Sequence, residues 1–82
     1  MTRDFTDVDG RPWHALAVDT RVAHAKKGAR LAFRPADTPD AEPLETPITF
    51  NSYAAAEFAL RTLGVKELRR RLSLALGELV GP

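Results

Sequence analysis

Prolines at positions 35, 39, 43 and 47 remove a backbone donor at every fourth residue, and this one feature divides the 82-residue chain into two unlike parts. No helix and no central strand can run through that segment, so 36–47 reads as a long loop. Before it the apolar residues alternate with a period of two. After it they recur at three- and four-residue steps.

In the first part, Asp9-Gly10 accepts the positive φ angles of a tight turn and separates Phe5-Thr-Asp-Val8 from Trp13-His-Ala-Leu-Ala-Val18. Pro12 belongs at a strand end beside that turn. A second hairpin is expected where Lys26-Lys27-Gly28 closes a three-residue loop, with Gly28 left-handed, between Arg21 to Ala25 and Ala29 to Pro35. In the third strand Ala29, Leu31 and Phe33 share one face while Arg30, Ala32 and Arg34 share the other, the pattern of a sheet with one packed and one wet side. Asp19 to Ala25 admits a continuation of strand two, a bulge or an independent strand.

In the second part, Ile48-Thr-Phe50 reads as a short fourth strand, and Asn51-Ser52 supplies a helix cap. The first helix should run from about Tyr53 to Leu63, stopped by a left-handed Gly64 with Val65 packed back on its last turn. Val65, Leu68, Leu72, Ala75 and Leu79 then form one apolar seam along a second helix. Strands first and helices last predict one α+β domain over 1–82. It comprises two β-hairpins within 3–35, the acidic loop 36–47, a strand at 48–50 and two helices within 53–80. The four strands form an antiparallel sheet with both helices on one face, where Leu16, Val18, Leu31, Phe33, Ile48 and Phe50 are the candidates for packing.

Size and composition narrow the function. A chain of this length holds one compact core and no second domain, and 44% hydrophobic with 28% charged residues matches a soluble globular chain. Zero cysteines exclude disulfides, thiolate nucleophiles and cysteine-based metal sites. Met1-Thr-Arg-Asp-Phe5 places an acid where a signal peptide needs an apolar run, which makes the cytoplasm the expected address.

No spacing of reactive side chains supports catalysis, so a noncatalytic role without cofactor or metal is expected. His14 and His24 are ten apart and lack the i, i+4 geometry of a helical zinc pair. Asp4, Asp7 and Asp9 before Gly10 suggest a calcium loop, but in that register Phe5 and Leu16 stand at the first and twelfth ligand positions, where acids are required. Asp9 as a turn residue and the others as solvated strand residues explain them better.

Charge is segregated. From Thr20 to Arg34 the cations Arg21, Lys26, Lys27, Arg30 and Arg34 meet no acid, whereas Asp37, Asp40, Glu42 and Glu45 follow in the loop. A basic hairpin that tracks phosphates is one reading; the acidic loop folding back to neutralise it is another. Lys66, Arg69, Arg70 and Arg71 do not form one contiguous recognition face, and Glu67 lies four before Arg71, in the orientation that favours a local ion pair.

The apolar residues a lone chain does not need carry more weight. Leu74 projects about 180° from Val65, at 100° per residue. Phe58 stands apart from the Tyr53, Ala56, Leu60 and Leu63 stripe, on a turn shared with Ala54 and Ala55. If the helices fold into a hairpin, Phe58 falls in the groove between them; otherwise it faces outward.

Phe5-Thr-Asp-Val-Asp-Gly10-Arg-Pro-Trp13, together with the leucine- and arginine-rich Glu67 to Leu72, resembles small uncharacterised bacterial proteins that open with a Phe-x-Asp-x-x-Gly-x-x-Trp hairpin. The resemblance implies a bacterial cytoplasmic origin and no activity. The expected function is a protein-interaction module, self-associating or binding another protein through Phe58, Leu74 and Ala55. The alternative is a nucleic-acid-binding accessory protein that uses Arg21, Lys26, Lys27, Arg30 and Arg34.

Overall fold

The computed structural model describes residues 2–21 and 27–77. Four strands, β1 (Thr2–Thr6), β2 (Pro12–Arg21), β3 (Lys27–Pro35) and β4 (Leu44–Phe50), form an antiparallel meander in the order β1-β2-β3-β4. Two helices, α1 (Tyr53–Thr62) and α2 (Val65–Ala75), follow and lie on one side of that sheet. This is the α+β architecture that the change of period predicts.

Register decides which side of each strand is packed. Phe5 stands opposite Trp13, Ala15 opposite Phe33 and Ala17 opposite Leu31, so all six point to the helices, where Ala56, Leu60, Leu68 and Leu72 complete the core. Phe5 and Phe33 meet edge to face, 5.7 Å between centroids. Leu16 and Val18 were expected on this side and lie on the other. β2 is apolar without a break from Ala15 to Val18, so its alternation could not fix the face; the bulk of Trp13 and its pairing with Phe5 do, and a shift of one residue reverses every side chain.

The proline segment is shorter than the sequence predicts. The irregular connection ends at Pro43, and β4 begins at Leu44, carrying Pro47 within it. Two features permit this. β4 is an edge strand, where a missing donor costs least, and the β3–β4 register shifts between Arg30 and Ala32. Thr46, fully buried, donates its hydroxyl to the Leu31 carbonyl at 3.0 Å, satisfying a group at the break in the ladder. Ile48 is accordingly exposed rather than packed, while Phe50 rests against the core.

The second hairpin also differs from expectation. β2 continues to Arg21, which pairs with Lys27, and Gly28 lies within β3 opposite Thr20 rather than in the turn. Residues 22–26, including Lys26 of the expected loop, lie outside the described residues, as do Leu79 and the expected end of the second helix.

Ser52 caps α1 by accepting the Ala55 amide at 3.1 Å. The other end does not terminate on a left-handed glycine. Leu63 and Gly64 are both extended, Gly64 is the N-cap of α2, and Val65 is exposed. A guanidinium replaces the expected cap: Arg3 donates to the carbonyls of Leu60 and Leu63. Arg69 likewise donates to the Thr6 carbonyl at 2.7 Å and to its hydroxyl at 3.2 Å, so β1 is tied to both helices. The extended link spreads α1 and α2 across the sheet instead of folding them side by side. α1 packs mainly on β2 and β3, and α2 on β4 with contacts to β1 and β3.

A candidate interaction groove and the outer helix face

The β1–β2 turn is built around Asp7. Its carboxylate accepts the amides of Asp9 and Arg11 and the Trp13 indole N–H, each at 2.9 Å. The Trp13 indole, followed by the Arg11 amide, holds the Asp7 carboxyl below its ordinary value. Gly10 takes a φ of 83°, and its amide donates to the Asp7 carbonyl at 3.0 Å. Asp7 is therefore the organiser of the turn rather than a solvated strand residue, and its oxygens are already engaged. Arg11 lies across the Trp13 ring, 5.5 Å from its centroid.

This turn lifts Val8 clear of the surface, and it is 83% exposed. Between the turn and α2 runs an open groove of about 630 Å³. Val8, Leu72 and Leu76 supply its apolar part, Lys66, Arg69 and Arg70 line the helix wall, and Asp7 and Asp9 stand on the turn wall. Leu76 is 42% exposed. Val8 reads as a strand residue in the sequence, and only its position amid aspartates ahead of a glycine signals a turn tip.

Of the residues expected at a protein interface, Phe58 is 60% exposed on α1, with the Arg61 guanidinium 6.0 Å from its ring centroid. Because α1 and α2 spread apart, no inter-helix groove takes the ring. Ala55 is half-buried on the same helix. Leu74 is also half-buried, so the outward apolar side chain near the end of α2 is Leu76.

Of the residues expected to bind phosphates, the side chains of Arg30 and Arg34 are described. On the helix-free side of the sheet Arg30 approaches Glu45 at 4.0 Å, and His14 Nε2 lies 3.3 Å from Asp4. Arg34 stands opposite His14 and makes no ion pair among the described residues. The Nε atoms of Arg30 and Arg34 are shielded from solvent without acceptors, and Ala32 between the two is fully buried, as expected if both stems lie along the sheet. Asp37, Asp40 and Glu42 of the acidic loop are exposed and pair with neither Arg30 nor Arg34. Arg21 and Lys27 are backbone partners at the end of the β2–β3 ribbon. On α2, Glu67 pairs with both Arg70 and Arg71, at 3.1 and 3.2 Å.

Among the described residues no three His, Asp or Glu side chains come together as metal ligands, and no helix is long and apolar enough to cross a membrane. No protein-family model, curated protein or solved structure matches the chain.

Proposed function

We propose that the chain is a noncatalytic protein-interaction module that self-associates through the outer surface of its helix layer. The observation that carries this reading is Phe58, an aromatic side chain held outward on a helix already anchored to the sheet by Ala56 and Leu60. An aromatic residue contributes nothing to this core from that position, whereas burying it against another chain would contribute roughly 1.5–3 kcal/mol. Val8 and Leu76 add further exposed apolar surface. Sedimentation velocity over a micromolar-to-millimolar series should show wild-type protein gaining mass and a Phe58→Glu variant, folded by circular dichroism, remaining monomeric. A monomeric wild type throughout that series contradicts the reading.

Nucleic-acid binding is the second reading, favoured by the five cations Arg21, Lys26, Lys27, Arg30 and Arg34, which no acid interrupts in the sequence. The pairs Arg30–Glu45 and His14–Asp4 weigh against it. Lys26→Glu with Lys27→Glu should abolish oligonucleotide binding at low salt if this reading holds, and leave assembly intact.

A further inference from the structure

We infer that β1 is a strap across the α1–α2 joint: Arg3 and Arg69 fasten one edge strand to both helices, and the joint is locked only while that strand is docked. The joint does not hold itself. Leu63 and Gly64 are both extended, and Gly64 gives α2 no side-chain cap. The last carbonyls of α1 have no partner within their own helix. α1 and α2 pack on the sheet rather than on each other, so the angle between them is set from outside the link.

β1 supplies restraints on both sides of that link. Arg3 donates to the carbonyls of Leu60, Arg61 and Leu63, and its positive charge lies where the dipole of α1 leaves partial negative charge. Further along the same strand, the Thr6 carbonyl and hydroxyl receive the Arg69 guanidinium of α2. One clasp closes the end of α1; the other grips α2 one turn after it begins.

The strand between the clasps has little else to hold it. β1 is five residues long, lies at the edge of the sheet, pairs with β2 alone and has one buried side chain, Phe5. Such an element opens at lower free energy than the central β2–β3 ladder. Each clasp therefore depends on the other: when Arg3 lets go, Thr6 is no longer held beside Arg69, and the reverse. Docked, β1 locks the extended Leu63–Gly64 link; undocked, it leaves that link free to act as a hinge. The Arg61 carbonyl is one of the Arg3 acceptors, so docking also steadies the part of α1 that carries Phe58 and Arg61. The device is a property of the single chain and stands apart from self-association.

Native-state amide hydrogen exchange, read by NMR on the full-length chain, tests the strap with wild type, Arg3→Met, Arg69→Met and the double variant. Methionine keeps an apolar stem and removes every donor. The Leu63 amide, bonded to the Ala59 carbonyl, and the Leu68 amide, bonded to the Gly64 carbonyl, report the two sides of the joint. Each single variant should speed exchange at both by roughly tenfold, while the β2–β3 ladder keeps its protection. The double variant should show less than the product of the two single effects. Acceleration at Leu63 alone in Arg3→Met and at Leu68 alone in Arg69→Met, multiplying in the double variant, would make the arginines two independent pins and overturn the strap. Equal acceleration throughout, the β2–β3 ladder included, would overturn it as well, because the joint would then open only with the whole domain. Unchanged exchange in both single variants would do the same. Should a methionine variant fail to fold, Arg3→Lys and Arg69→Lys keep the charge without the fork and should give the two-sided pattern at smaller amplitude; a one-sided pattern contradicts the strap.

Discussion

Trp13 and Phe58 each have an arginine across the ring, at 5.5 and 6.0 Å, yet the two aromatics sit in opposite circumstances. Trp13 is 4% exposed, hydrogen-bonded through its indole to Asp7 and part of the core. Phe58 is 60% exposed, with the Arg61 guanidinium across its ring. One ring is enclosed by the fold; the other is carried by it. On the proposed reading, stability and recognition fall to separate parts of a small molecule, and each should be alterable with little effect on the other.

The largest effect should come from the enclosed ring. Trp13→Ala removes a core side chain and leaves the turn carboxylate without its indole donor, and chemical denaturation should show a loss of ~3–5 kcal/mol. A loss below 1 kcal/mol would mean that Trp13 is no more structural than Phe58. Next is Thr46→Val, which keeps the shape but leaves the Leu31 carbonyl without its hydroxyl donor at the β3–β4 shift. We expect ~1–3 kcal/mol from the same measurement.

Acidification should act on the Trp13 side of the comparison and not on the Phe58 side. The folded Asp7 carboxyl lies below its unfolded value of about 3.9, so its hydrogen bonds stabilise fully at neutral pH, and that stability is lost as pH falls from about 4 through the folded value. Urea midpoints at pH 7 and pH 3 should show a smaller drop for Asp7→Asn than for wild type. An equal drop would remove Asp7 from the acid response. Smallest of all is Phe58→Ser on monomer stability, expected within about 0.5 kcal/mol because the side chain is mostly solvated. A substantially larger loss would place Phe58 with Trp13 after all.

Much of the fold is legible in the sequence because its signals are local. Asp9-Gly10, the alternation from Ala29 to Arg34, Ser52 before α1 and the Leu68–Leu72 spacing each state their structure within a few residues. What stays hidden depends on partners distant in the chain. The face of β2 follows from Trp13 meeting Phe5, the cap of α1 from Arg3 some sixty residues earlier, and the tolerance of Pro47 from β4 lying at the edge.

The candidate site divides in the same manner. Phe58 shows in the sequence as an apolar residue off the packed stripe of its helix. Leu74 shows equally well and is half-buried, because helical angle alone does not reveal where α2 crosses the sheet. The groove joins residues 7–9 to 66–76, and no spacing rule relates them.

A dilution series of amide NMR spectra tests the central claim most directly. Concentration-dependent shifts should concentrate around Phe58 and Arg61 on α1, at Val8 and Asp9, and along Leu72 to Leu76, with the Arg30 and Arg34 amides unmoved. Spectra that do not change from micromolar to millimolar concentration, or shifts confined to Arg30 and Arg34, would contradict association through the helix layer.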